Sequence, residues 1–331
     1  MLGICNFCHI NPKNNSQYLA MSNFHQPVLS DQAISYLKPQ LGGSFIDCTL
    51  GGAGHTVEIL RRVLPGGKIL GIDLDPIALK AAKEELKNYS SAVLVQDNFR
   101  HLKKIAEKNN FKKVDGILLD LGLSSGQLAD HSRGFSFLAE GGLDMRFGQQ
   151  SELTAQRILN TYRQKQLFEI FKNFGQERLA KPIAEKIVLE RKLAPIKTPA
   201  ELVAIVSEIY KKFYRQNSRT NPATKIFQAL RIAVNQELEN LTEVLPQALG
   251  LLKKGGRIAV ISYHSLEDRT VKDFFKQESR DCVCPPELPL CQCGHKKTLK
   301  IITKKPVAAA EEEVLNNPRS RSAKLRVAER C

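Results

Sequence analysis

The chain is 331 residues long, 42% hydrophobic and 25% charged, a globular mix that excludes collagen-like and wholly disordered chains. Its 49 lysines and arginines outnumber 34 aspartates and glutamates, and the net charge of +15 points to a polyanionic partner, nucleic acid first. No apolar run reaches the roughly 18–20 residues of a membrane span, and 8 cysteines over this length are too sparse for a disulfide scaffold, so a reduced, cytoplasmic protein is expected.

Strand and helix signals alternate through the first half. Residues 44–50 (Ser-Phe-Ile-Asp-Cys-Thr-Leu) form a short apolar run that ends in glycines. A helical pattern follows, with Val57, Ile59, Leu60, Val63 and Leu64 on one face and Pro65-Gly66-Gly67 as the stop. Residues 68–73 read as a second strand, and Pro76 suits the first turn of the next helix. Residues 92–95 read as a third strand, and 114–121, apolar on both faces, as a central parallel strand. Strands alternating with helices imply a doubly wound α/β sheet.

The pattern changes after Gly148. Helices are expected over 155–160, 164–174, 178–192 and 199–213, with no strand between them. Strand signals return at 257–263, after the Gly255-Gly256 turn, and at 299–302 and 324–328, which suit an antiparallel edge. A helical insertion thus interrupts one α/β unit. Residues 308–313 (Ala-Ala-Ala-Glu-Glu-Glu) read as a solvated connection.

The strongest local motif is Asp47-Cys48-Thr49-Leu50-Gly51-Gly52-Ala53-Gly54-His55, which leaves a strand and opens a helix. Glycines there let a ligand approach the backbone, and the helix N-terminus offers free N–H groups. The motif lacks both the dinucleotide glycine spacing and the P-loop lysine, and a glycine turn alone can be merely structural. Asp73, ending the second strand, can accept both ribose hydroxyls. Without a pyrophosphate-type loop, an adenosine with a charged side arm fits better, and S-adenosylmethionine is such a ligand. Asp97 or Asn98 can meet the adenine amine and Phe99 cover the ring, while Asp120 ends the fourth strand where the reacting end belongs, unless it only caps a turn.

Longer segments then bring a resemblance into view: residues 25–29 (His-Gln-Pro-Val-Leu), 47–55, 71–76, 115–128, 133–137, 143–146, 174–178, 221–224, 227–232, 262–269 and 317–322 (Asn-Pro-Arg-Ser-Arg-Ser). Over residues 24–330 the chain resembles the bacterial ribosomal small-subunit RNA (cytosine-N(4))-methyltransferase H, or MraW, family. The resemblance implies a class I S-adenosylmethionine-dependent methyltransferase, Rossmann-like, with an inserted all-α substrate domain. It implies methylation of the N(4) amine of a cytidine in the decoding region of 16S RNA, within the small ribosomal subunit. The divisions expected are an extension at 1–22, disordered, then methyltransferase parts at 23–148 and 223–331 around a helical insertion at 149–222. Cofactor contacts carried over fall on Ala53, Gly54, His55, Asp73, Phe99, Asp120 and Gln127, the last from the resemblance alone. The extension, with Cys5, Cys8 and His9, precedes the family's usual start, and Ser30-Asp31 departs locally from its pattern.

A sulfonium methyl is already activated, so the enzyme's task is to align a poorly nucleophilic amine and accept its hydrogens. Asp120 and the turn through Ser124 and Ser125 suit that task; Asp144 and His264 are further candidates for a base, though His264 can equally cap a turn. Lys211, Lys212 and Tyr214, with Arg215 and Arg219, interleave charge and aromatics as RNA-binding runs do, and Arg231 and Asn235, one helical turn apart, can line a cytidine pocket. Cys282-x-Cys284, Cys291-x-Cys293 and His295 cluster as either a structural zinc site or a loop of free thiols, and no metal is assigned. A methyltransferase acting on DNA or a small molecule, or a ribosome-assembly factor, are the alternatives, and monomer or homodimer stays open.

Overall fold

The computed structural model describes residues 27–137, 141–148, 151–214, 221–285, 288 and 290–331. The expected extension, with Cys5, Cys8 and His9, and the basic Arg215 and Arg219 lie outside the described residues.

Strands β1 (Ser44–Asp47), β2 (Lys68–Asp73), β3 (Ala92–Gln96), β4 (Val114–Asp120), β5 (Leu252–Ser262), β6 (Leu299–Ile301) and β7 (Lys324–Arg330) form one sheet in the order β3-β2-β1-β4-β5-β7-β6. The first five pair in parallel, β7 lies antiparallel to β5, and β6 antiparallel to β7. The expected parallel sheet with an antiparallel edge is therefore present. β4 is central and buried along most of its length because both faces are apolar. Gly116 on it is required by a close approach, since a Cβ there would stand 2.5 Å from the Phe45 ring. β5 begins earlier than expected: the pairing shifts register between Val114 and Gly116, and the Gly255-Gly256 stretch becomes an irregularity inside the strand, with Gly255 at φ +79°.

Three helices, α1 (Ser30–Leu37), α2 (Gly54–Val63) and α3 (Pro76–Glu85), cover one face, packing on Phe45, Ile69, Leu118 and Ala259. α4 (Leu102–Lys108), which precedes β4, joins two helices that flank β5, α11 (Glu237–Leu251) and α12 (Ser265–Glu278), over the other face, on Ile46, Leu70, Ile117 and Ile258. Each fully buried Leu or Ile on these faces contributes about 1.5–3 kcal/mol of transfer free energy. α5 (Ser125–Ala129) follows β4 and is closed by a capping box between Ser124 and Gln127. Asp75 caps α3, whose first residue is Pro76.

The helical stretch contains α6 (Ala155–Thr161), α7 (Gln164–Asn173), α8 (Ala180–Leu193) and α9 (Pro199–Phe213), close to the expected spans. They share a second core, built on Leu159, Leu167, Phe171, Ile183 and Leu202. α10 (Thr224–Asn235) buries Ile226, Phe227, Leu230 and Val234 in that same core, so the helical packing runs past residue 222. The connection at 308–313 is not merely solvated. It opens a short helix, α13 (Glu311–Asn316), whose first-turn glutamates complement the helix dipole and whose Glu313 accepts the Leu29 N–H at 2.7 Å. No helix among the described residues is long and apolar enough to cross a membrane.

Candidate active site

The five parallel strands end at one edge, and a crevice runs along it. It is lined by Asp97, Asn98 and Phe99 after β3, Asp73 and Leu74 at β2, Cys48, Thr49 and Gly51 at β1, Asp120 to Ser124 at β4, and Tyr263 after β5. Gln127, Phe147, Asn235, Glu237, Asn240, Glu267 and Arg319 close its other side. This is where open α/β sheets bind ligands.

Hydrogen bonds run from one strand end to the next. Buried Asp47 accepts the Thr49 N–H at 3.1 Å and the Thr56 hydroxyl at 2.8 Å, and Thr49 Oγ1 in turn accepts the Asp120 N–H at 2.6 Å. The Asp120 carboxylate accepts the Tyr263 hydroxyl on Oδ1 at 2.8 Å, and its Oδ2 stands 3.8 Å from His55 Nδ1. Burial pushes Asp120 up to about 7, although Tyr263 and Arg319 favour its charged form. Gly122, at φ +102°, lets the turn after β4 pass the Tyr263 ring, which a Cβ would meet at 3.0 Å.

Asp73 accepts the Gly51 N–H on Oδ2 and the Asp75 N–H on Oδ1, each at 2.8 Å, and burial pushes it up to about 6. One carboxylate thus ties the glycine turn to the end of β2 and keeps lone pairs toward the crevice. Buried Gln127 donates to Asp75 at 3.2 Å and accepts the Ser124 N–H at 3.0 Å, and Arg133 grips Asp75 with two N–H groups. Its place is therefore held from three sides.

The other expected residues fall into two groups. Ala53, Gly54 and His55 do not line the crevice: they shape the turn behind it. Ala53 is buried at φ 67°, a Cβ on Gly54 would meet Pro27 at 3.1 Å, and His55 Nε2 lies 3.1 Å from the Val28 carbonyl. Gly54 instead borders a wider, acidic cavity with Asp31, Glu58 and Glu313, which shares Ser124 and Gln127 with the crevice. Asp144 is bound by Arg146, which holds it below the usual carboxylate range against its partial burial. His264 caps α12, its Nδ1 accepting the Glu267 N–H at 3.3 Å, so the capping alternative is the one present. Arg231, its side chain 13% exposed, donates to Glu237 at 2.8 and 2.9 Å and is not among the residues that line the crevice. Asn235 lines the crevice while pinning the neighbouring loop, accepting the Phe147 N–H and donating to the Met145 carbonyl. Ser124 lines the crevice, but the Ser125 side chain lies outside the described residues. Lys211, Lys212 and Tyr214 close α9 away from the crevice, with Lys212 paired to Glu208 at 2.8 Å.

The sequence model of the MraW methylase family matches residues 22–331. The chain belongs to the MraW methylase family. Curated relatives include the ribosomal RNA small subunit methyltransferase H of Halothermothrix orenii, 49% identical over 92% of this chain and 98% of that one. The protein of the same name from Thermomicrobium roseum is 49% identical over 94% of each chain. Among solved structures, the match to an rRNA methylase from Streptococcus thermophilus covers 91% of this chain and 93% of that one, at 10% identity and a TM-score of 0.40. The sheet described above has the order and antiparallel edge of class I methyltransferases.

In this MraW methylase the crevice includes residues to which the sequence-based reading gave no part in the site. Tyr263 orients Asp120, Arg319 lends it positive potential while donating to the Leu123 carbonyl, and Asn240 brings an amide. Asn240 is buried, its Nδ2 donates to the Asn235 carbonyl at 2.9 Å, and its Oδ1 has no hydrogen-bond partner among the described residues. That bond fixes the amide's orientation and leaves Oδ1 as a buried acceptor on a residue that lines the crevice. Tyr263 and Arg319 lay inside segments that carry the family resemblance, which was a usable signal. Nothing around Asn240 in the sequence marks it.

Proposed function

We propose that this chain transfers a methyl group from S-adenosylmethionine to the exocyclic N(4) amine of a cytidine in the decoding region of 16S ribosomal RNA, within the small ribosomal subunit. The observation that carries the reading is the crevice itself, in which Asp73, Phe99 and Asp120 follow one another along three strand ends. The names of the curated relatives support ribosomal RNA as the substrate.

The donor set fits an adenosyl ligand. Asp73 would accept the ribose hydroxyls, Phe99 would cover the adenine, and Asp97 or Asn98 would meet its amine. Gln127, pinned by Asp75 and Ser124, would border the ligand next to the reacting position. When bound, S-adenosylmethionine supplies an activated methyl that needs no metal assistance.

The rest of the chemistry falls to the chain. A cytosine amine is weakly nucleophilic because its lone pair is delocalised into the ring. Asp120 and Asn240 Oδ1 offer two acceptors for its hydrogens, which lines the nitrogen up and stabilises the positive charge that develops. With its carboxyl at about 7, Asp120 is matched to take the proton released at neutral pH. Tyr263 donates to Asp120 and holds it toward the crevice. The base must leave its stack to reach this depth. Lys211, Lys212 and the half-exposed Tyr214 would grip the strand around it by charge and stacking.

The test is methyl transfer from labelled S-adenosylmethionine to small ribosomal subunits, free ribosomal RNA and free DNA, followed by nucleotide-resolved mapping of modified cytidines. One N(4)-methylated decoding-region cytidine, absent when the gene is deleted, is expected. Methylated DNA with unmodified subunits would overturn the reading.

A further inference from the structure

Between the end of α12 and the start of β6, a loop brings together four cysteine sulfurs that the methyl-transfer chemistry does not use. Cys282, Cys284, Cys291 and Cys293 place their Sγ atoms within 4.8 Å of one another. All four are free thiols, with Cys293 Sγ 3.6 Å from that of Cys291 and 3.8 Å from that of Cys282. A tetrahedral zinc with Zn–S bonds near 2.3 Å sets its sulfurs about 3.8 Å apart, whereas a disulfide needs about 2.05 Å.

Backbone amides point at the same sulfurs. The N–H of Cys284 donates to Cys282 at 3.4 Å, that of Gln292 to Cys284 at 3.4 Å, and that of Val283 to Cys293 at 3.5 Å, with the His295 amide adding a second donor to Cys293. Donors arranged in this way stabilise thiolate charge, as second-sphere groups do around metal-bound sulfur. The short Cys-x-Cys spacing suffices because each pair meets the other across the loop.

Among its described residues the loop buries no apolar side chain that would explain this convergence. Val283, Leu288 and Leu290 are exposed, at 37%, 42% and 77%. At its base Thr298 donates its N–H to the Glu278 carbonyl at 2.9 Å, and nearer its tip the Leu288 N–H donates to the Pro285 carbonyl at 3.1 Å. Small loops that cannot bury a core are held by a metal or a disulfide. Exposed Arg280, Lys296 and Lys297 would offset the negative charge of a tetrathiolate.

We propose that Cys282, Cys284, Cys291 and Cys293 bind one zinc ion as a tetrahedral tetrathiolate, releasing their thiol protons. The ion has a structural role. Leu299 of β6 pairs with Arg330, which also donates to the Leu252 carbonyl where β5 begins, so the loop lies at the opposite end of the sheet from the crevice.

Full-length protein purified without chelator should release about one zinc per chain when its thiols are titrated with a mercurial in the presence of a colorimetric zinc indicator. The double variant Cys282→Ser/Cys293→Ser should bind less than about a tenth of that, whereas Cys331→Ser should bind as much as the parent. Cobalt exchanged into the unaltered protein should show the absorption of a tetrahedral tetrathiolate, which keeps the test independent of how the double variant folds. Four thiols titrating with no metal released would overturn the proposal, as would disulfides in the intact mass or bound iron in place of zinc.

Discussion

Two groups of buried charge meet along one crevice and differ in how they are neutralised. On the sheet side, Asp73 and Asp120 sit at strand ends with backbone N–H and tyrosine donors but, among the described residues, without a cation in hydrogen-bond contact, and burial raises them to about 6 and about 7. On the helical side, Glu237 and Glu267 are 9% and 3% exposed, against 18% for Asp120, and Arg231 bonds Glu237 with two N–H groups. Burial acts against Glu267 as well, but His264 and Arg231 hold it below the usual carboxylate range. The difference separates function from scaffold. A buried carboxylate already matched by a cation is internally complete, and one left to amides and hydroxyls gains from a ligand. The same contrast explains why Glu237, His264 and Glu267, close enough to hold a metal, are better read as an ion network: Arg231 already supplies the positive charge.

The largest effect should come from breaking the closed side. Arg231→Ala would leave Glu237 buried and unpaired, a loss of about 3–5 kcal/mol in folding stability. Replacing both members with apolar residues of similar size should recover much of it. Denaturant unfolding of the single and double variants checks both statements. A single variant as stable as the parent would remove the distinction between the two sides.

Next in size is the open side. Asp120→Asn keeps the shape and loses the charge, and kcat should fall about 10²–10³-fold, or about 2.7–4 kcal/mol of transition-state stabilisation. The pH profile supplies the sign. Acceptance requires the ionised carboxyl, whose fraction rises with pH, so kcat/KM should climb through about pH 7 in the parent and lose that limb in the variant. With a positively charged donor alongside, Asp120 ionises more readily, so the limb in kcat should lie at lower pH. A profile flat from pH 6 to 8 in the parent would deny Asp120 its proton-accepting role.

The contrast between the two sides also marks how far the sequence could be read. Apolar runs that end in aspartate announced β1, β2 and β4, and with them Asp47, Asp73 and Asp120, because a strand's period and its terminal carboxylate are local features. The helices from Ala155 to Phe213 were legible for the same reason. Pairings across space were not. Arg231 looked like an RNA contact because its helix face was visible, but not the left-handed Gln236, at φ 51°, that turns the chain and sets Glu237 against it. His264 was a different case: Glu267 three residues later is a capping-box spacing, a local signal that favoured the cap over the catalyst. Asn240 gave no local signal, since what distinguishes it is one side-chain oxygen without a partner among the described residues.

A smaller effect should separate donor binding from chemistry. Asp73→Asn removes a charged acceptor, and affinity for S-adenosylmethionine should weaken about 10–100-fold, the range for hydrogen bonds to a charged group. In the parent, protonation removes the same acceptor, so affinity should decline as pH falls through about 6. Calorimetric titration across that range checks both, and a donor affinity indifferent to Asp73 would move the adenosyl position elsewhere in the crevice.

The smallest effect lies outside both groups, on the exposed end of α9. Lys212 pairs with Glu208, which also holds Lys186 at 2.9 Å, and an exposed pair of this kind is worth about 0–1 kcal/mol. Redirecting Lys212 to a phosphate therefore costs little, and Lys211→Ala/Lys212→Ala should leave unfolding within about 0.5 kcal/mol of the parent. Its signature belongs to binding instead. Each lysine that neutralises a phosphate adds about one to the slope of log affinity against log salt, so the double variant should lose a slope of about two toward ribosomal RNA at unchanged sequence preference. An unaltered slope would make these lysines a solvated face and leave RNA contact to other basic residues of the chain.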